Sequence, residues 1–351
     1  MKKIPFLFAL LLTITLLFTG CATKVKTTEN ATTVTQPSEA VDVGHYDNDD
    51  DGEEIDVLPN QTISEDGKYV ITGEIDGQVL VTAENVTLIL DGANINCSDA
   101  SAILGKDGNG SDIAQNLTIE LRGENTVTSG SKHGIQGKDN LTITGTGSVN
   151  ISAEKDGLHA GETLTVKDGI VNVIKSFEGM EATNIVISGG SSTINSTDDG
   201  INATIDVGET ETPSIDISGG EVVLYSTSDG IDSNGTLNVT DGTIAIFIGA
   251  TRDGDGTDVD RGGTILPALY GTASISAGSE IEVDGLWSFT PTSNVTSFCL
   301  MLPGLANGKT YQISVNERAL MSVTATTTIQ GMMMGGGNLR NAPKPDIITT
   351  I

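Results

Sequence analysis

A short phrase returns along the middle of this chain: His133-Gly134-Ile135, Asp156-Gly157-Leu158, Glu178-Gly179-Met180, Asp199-Gly200-Ile201 and Asp229-Gly230-Ile231. Its glycines lie 23, 22, 21 and 30 residues apart. A fixed order of polar residue, glycine and aliphatic at so regular a period marks a repeat protein, in which equivalent positions stack on one another. A once-per-repeat acid then becomes a ladder of carboxylates.

Between the phrases the chain alternates apolar and polar residues with period two, as in Leu164 and Val166, Ile185 and Ile187, and Ile215 and Ile217. Alternation of this kind puts each pair on one inward face of a strand. A second short strand follows each glycine turn, and no helical period appears. Three short strands and three turns per ~22-residue rung predict an all-β solenoid, a parallel β-helix. A β-sandwich would not impose one phrase at one period. Each buried aliphatic would contribute roughly 2 kcal/mol to such a coil. The predicted solenoid occupies 55–263. The longer interval before Gly230 holds an insertion around Ile205 to Pro213, which solenoids carry as a loop on one face. Residues 264–330 keep strand character and are expected to cap the open end, and 331–351 read as a flexible tail.

The N-terminus carries Lys2 and Lys3, then an apolar run from Ile4 to Phe18, then Thr19, Gly20 and Cys21. That pattern is a secretory leader, 1–20, and the run is shorter than the ~20 residues of a spanning helix. Phe18-Thr19-Gly20-Cys21 is similar to a bacterial lipobox. Cys21 is therefore expected to carry the lipid, with the protein tethered outside the cell membrane by the acidic, Thr-rich segment 21–54. Within that tether Asp47, Asp49, Asp51 and Gly52 start a calcium-loop pattern, which fails at its twelfth place, Leu58.

Net charge is −29, and −31 once Lys2 and Lys3 leave with the leader. Such an excess of acid repels phosphate backbones and excludes nucleic acid as an expected partner. An acidic ligand would need a bridging cation. The single tryptophan, Trp287, offers no evident stacking platform for sugars. Cys97 and Cys299 sit near opposite ends of the repeats and are expected to be buried thiols, and no Cys or His pair has zinc spacing. The chain is expected to be a monomer.

The phrase extends three residues beyond its first member, to Gln136, His159, Glu181, Asn202 and Asp232. Three successive repeats carry oxygen ligands at both places: Glu178 with Glu181, Asp199 with Asn202, and Asp229 with Asp232. Asp198 adds an acid beside Asp199. Rungs stack about 4.8 Å apart, so these carboxylates repel unless a cation lies between them. Calcium (Ca2+), an oxygen-liganded ion with bonds of about 2.4 Å, suits that spacing better than magnesium. The alternative is that Asp-Gly is a favoured turn dipeptide capping its own backbone, as expected at Asp168-Gly169 and Asp241-Gly242. Asp253 and Asp255, in the dense acidic loop between Arg252 and Arg261, are candidate ligands of a further ion. No catalytic residue is assigned.

Ser176 to Ala182, Ile185 to Gly190, Ser196 to Ala203 and Ser228 to Gly235 together resemble a family of bacterial carbohydrate-binding β-helix lipoproteins associated with pectin and cellulose. The resemblance implies a right-handed parallel β-helix with bound calcium, related in fold to polysaccharide lyases. It also implies binding of polygalacturonate on protein-held calcium at the acids just named. His133 and Gln136 depart from the oxygen-rich pattern, which puts a metal on that rung in doubt. Two rival functions remain open. A calcium-dependent lyase would need a basic residue to abstract the proton beside the uronate carboxylate, and Lys155, Lys167, Lys175, Arg252 and Arg261 are the candidates nearest the ladder. A structural or adhesive surface protein would use calcium only to neutralise the ladder.

Overall fold

The computed structural model describes residues 54–55, 62–106, 113–205, 210–249, 257–259 and 261–329, with 54–55 and 257–259 as backbone alone. The described elements are all β-strands. Each repeat contributes a three-residue strand to a nine-stranded parallel sheet, including Ile103–Gly105, Ile135–Gly137, Leu158–Ala160, Met180–Ala182, Ile201–Ala203 and Ile231–Ser233. The first and third residues of these strands are buried and the second is half-exposed, except in Ile201–Ala203, where Asn202 is buried as well. Ile135, Leu158, Met180, Ile201 and Ile231 stack as register partners and are fully buried.

The glycine before each aliphatic is fixed by close approach. A Cβ at Gly157 would lie 2.7 Å from Val173 Cγ2 and 2.8 Å from the Gly179 carbonyl oxygen. No side chain fits between two such backbones.

The expectation of an open right-handed parallel β-helix is overturned by the second sheet. An open coil keeps its faces as separate ladders, whereas here the 16-stranded sheet closes on itself. Strand Asn85–Cys97 pairs with both Asn116–Arg122 and Glu124–Ser129. Strand Ser214–Ser226 pairs with both Asn184–Ile187 and Ser191–Ser196. With Asn140–Gly145, Ser148–Ser152, Thr163–Val166 and Ile170–Ser176 between them, ten parallel strands form a closed ring of pairings with no helix. The reason lies at the corners. Gly92 and Gly220 have φ of 71° and 84°, so the chain turns there while its strand hydrogen bonding continues on both sides. A glycine turn that reads as a strand end in the sequence is a bend within one strand.

Asn125, fully buried, clamps the first of these corners. Its Oδ1 accepts from the Ala93 N–H at 2.9 Å, and its Nδ2 donates to the Arg122 and Ser148 carbonyls at 2.9 and 3.0 Å. Its register neighbour is Val149, so Asn125→Val preserves the apolar packing but orphans the buried Ala93 N–H and two partly buried carbonyls. At about 1–3 kcal/mol for the buried group and less for the others, we expect a loss of about 2 kcal/mol or more, read as a lower urea midpoint.

Beyond the repeats, strand Val295–Met301 runs antiparallel between Thr236–Ile248 and Ala268–Ile275. A four-stranded antiparallel sheet follows, and a second apolar cluster forms around Phe247, Phe298, Leu300 and Tyr311. Trp287 stacks on Phe289, and Phe289 on Phe247, with ring centroids 5.5 and 5.4 Å apart. Cys97 and Cys299 are buried thiols.

Candidate functional site

The nine-stranded sheet presents its middle residues as one outward column. Register pairs Leu104 with Gln136, Gln136 with His159, His159 with Glu181, Glu181 with Asn202, and Asn202 with Asp232. Beside this column lie the residues that precede each glycine: His133, Asp156, Glu178, Asp199 and Asp229. The Gly-to-Gly stacking holds them in file, because the N–H groups of Gly134, Gly157, Gly179 and Gly200 donate to the carbonyls of Asp156, Glu178, Asp199 and Asp229.

Four of these polar residues are buried to an unusual degree for titratable groups. His133, Asp156, Glu178 and Asp199 are 8%, 4%, 7% and 8% exposed. Asp199 Oδ1 accepts the Asp229 N–H at 2.8 Å. Asn202 Nδ2 donates to Glu178 Oε2 at 2.9 Å, and Asn202 Oδ1 is buried without a hydrogen-bond partner. Among the described residues, two groups of three metal-ligating side chains bring their ligand atoms within 4.8 Å of one another. They are Asp156, Glu178 and Glu181, and His133, Asp156 and His159.

The electrostatics follow from this crowding. Burial, a hydrogen bond to Glu181 and repulsion from it push Glu178 up to about 10, against a smaller opposing effect from Asn202. Glu181 moves the other way, mainly through its contact with His159. The pair therefore shares one proton, as two carboxyl groups in one buried place must. Burial disfavours charge on Asp156, but its contacts with His133 and His159 outweigh that and hold it at about 2. Burial likewise opposes charge on His159, yet Asp156 and Glu181 raise it to about 9.

Of the expected ligands, Glu178, Glu181 and Asn202 come together, and Asp199 lies in file behind Glu178. Asp229 and Asp232 continue the two files one repeat further. Asp198 sits in the turn, where its N–H donates to the Phe177 carbonyl. Asp253, Asp255 and Cys21 lie outside the described residues, as do the leader and most of the tether. Asp168 and Asp241 are turn caps, each accepting the N–H of its following glycine at 2.8 Å. Sequence reasoning did not select His133, Asp156 and His159 as ligands. The signal was present, since His133 and Asp156 occupy the phrase's first place and His159 its outward third place.

The oxygen-rich group fits a hard cation. It combines two crowded carboxylates with an orphaned, buried amide oxygen, and calcium takes oxygen ligands of these kinds. Imidazole nitrogens do not suit calcium, so the His133 group is excluded from that fit.

Residues 59–286 match the family model described as "Carbohydrate-binding domain-containing protein". No curated protein matches the chain. Among solved structures, the chain is similar to the polysaccharide lyase-like protein from C. thermocellum, solved as a gadolinium derivative, at 25% identity and a TM-score of 0.50. The likeness covers 57% of this chain and 84% of that one. With the matched family model spanning well over half of its length and including the whole buried column, the chain belongs to the family of carbohydrate-binding domain-containing proteins.

Proposed function

We propose that this carbohydrate-binding domain takes an acidic plant-cell-wall polysaccharide, polygalacturonate or pectin, along the outward face of the nine-stranded sheet. Calcium held by Glu178, Glu181, Asp199 and Asn202, and continued by Asp229 and Asp232, would accept uronate carboxylates. The observation that carries the acidic substrate is an open cleft of about 400 Å³ at the other end of the same column, lined by Gln136, where Lys106, Lys132 and Lys155 outnumber the one acid, Asp99. All three lysines are exposed, and none is ion-paired among the described residues. Three ammonium groups gathered in one cleft of a chain with net charge −29 suit an anionic ligand. Gln136 and Glu181 are two strands apart, about 10 Å, a span that a short oligosaccharide covers. On this reading Cys21 holds the domain at the outer face of the cell membrane.

The test is binding of polygalacturonate in calcium and in chelator. Affinity is expected to fall at least about tenfold in chelator, equivalent to about 1.4 kcal/mol. Charge reversal of Lys132 and Lys155 together is expected to weaken binding in calcium. Binding that persists unchanged in chelator would sink the calcium bridge.

A lyase is the second reading, favoured by the similarity to the lyase-like structure and by Lys155 in the cleft. Lys175 is held in an ion pair with Glu154, which leaves it less suited to act as a base. Release of unsaturated oligogalacturonides, followed by ultraviolet absorbance, would establish the lyase.

A further inference from the structure

We infer that His133, Asp156 and His159 form a site for a divalent transition metal of the zinc class, which shares Asp156 with the oxygen-rich group but does not rest on the polysaccharide reading. Two imidazoles turn the same atom toward the same carboxylate oxygen. His133 Nδ1 lies 2.8 Å and His159 Nδ1 3.1 Å from Asp156 Oδ2, and the two rings are 4.4 Å apart between centroids. His133 and Asp156 are buried, with side-chain exposures of 11% and 6%, and His159 is half-buried at 21%.

A purely ionic network explains only part of this. His159 Nδ1 is satisfied between Asp156 and Glu181, the latter 3.2 Å away. His133 Nδ1 is not. It is buried, and its 2.8 Å approach to Asp156 Oδ2 is an ion-pair contact, with no hydrogen bond of good geometry formed there. The three ligand atoms lie within 4.8 Å of one another, near enough to share one ion. A four-coordinate ion with bonds of about 2.0–2.1 Å spaces neighbouring ligand atoms by about 3.3 Å, close to the contacts seen here. Two nitrogens and one carboxylate oxygen are a donor set for zinc, iron, cobalt or nickel, and leave positions open for water or a ligand. Glu181, against His159, is placed as an outer carboxylate or a fourth ligand. The open side is next to the lysine cleft, because His133 lines it as well.

The experiment is a titration of the full purified chain with cobalt(II), in calcium-free buffer and without any glycan, followed by visible absorption and by melting temperature. One equivalent of cobalt is expected to give the intense visible bands of a low-coordinate nitrogen-ligated complex and to be displaced by zinc. His133→Gln and His159→Gln are each expected to weaken cobalt binding by more than the ~10–100-fold typical of losing an outer partner. A wild-type spectrum no different from that of hydrated cobalt overturns the site, whatever the variants do. So does cobalt binding of equal affinity in wild type and in both folded variants. Because neither calcium nor glycan is present, failure of the polysaccharide reading leaves either outcome unaffected.

Discussion

Gly179→Ala is expected to lower the urea midpoint further than alanine at any glycine whose surroundings are open. A Cβ on Gly179 would press into Ile194 Cγ2 and the Gly200 carbonyl oxygen, closer than real Cβ atoms come. Neither neighbour can yield. Ile194 is fully buried, and Gly200 is tied into the same file. Moving Gly179 instead would strain two hydrogen bonds, its N–H to the Asp199 carbonyl and its carbonyl to the Leu158 N–H, each 3.1 Å. Overpacking alone typically costs about 1–3 kcal/mol, and damage to two buried backbone bonds takes the expected loss to about 3 kcal/mol or more. Against a typical total stability of about 5–15 kcal/mol, that is a large share. The contrast is Gly73→Ala. Gly73 has φ of 70° but nothing within 4 Å of its Cβ, so only the left-handed backbone is penalised, by about 1–2 kcal/mol. Equal midpoints for the two variants would mean that the stacked glycines do not set the spacing of the repeats.

The same glycine file shows what a sequence of this kind discloses and what it withholds. The period, the inward columns from Leu158 to Ile231 and the split of the phrase into a structural half and an acidic half all follow from residue order, because stacked repeats turn a period into a contact. Ring closure does not follow from residue order. At Gly92 and Gly220 the sequence shows only a glycine turn, and whether hydrogen bonding continues around it depends on which strands lie alongside. The site was legible to the same degree. Glu178, Glu181 and Asn202 stand out by their repeated oxygen ligands, and they do meet. Asp156 is hidden in the sequence because its third-place partner is a histidine, which breaks the pattern of paired acids in the repeat where imidazoles and carboxylates meet. Burial is the other missing piece. A column that alternates outward in sequence is expected to be solvated, yet Asn202 and Glu178 are enclosed by the neighbouring repeats.

That enclosure makes Glu178→Gln the sharpest test of whether the acids are ligands or turn-formers, since the two roles predict opposite orders of stability. Gln keeps the shape of Glu178 and can still accept from Asn202 Nδ2, but removes the ionisable carboxyl that burial and Glu181 hold protonated. In chelator, Glu178→Gln is therefore expected to melt at or above the wild-type temperature. In calcium the order is expected to reverse. Saturation at about 100 times the dissociation constant stabilises the wild type by about 2.7 kcal/mol, or about 4 °C in a chain of this size, whereas the variant gains little. The pH dependence carries the same sign. Because folding raises Glu178 from 4.5 to about 10, the unfolded chain gives up that proton first, and without metal wild-type stability falls as pH rises through this range. His159, raised from 6.5 to about 9, also loses its contribution as pH rises, but does so in both proteins, so the difference between them isolates Glu178. Calcium that takes the place of the shared proton should flatten the wild-type profile. A Glu178→Gln protein that responds to calcium as fully as the wild type would move the ion away from the buried column, to the acids further along the file.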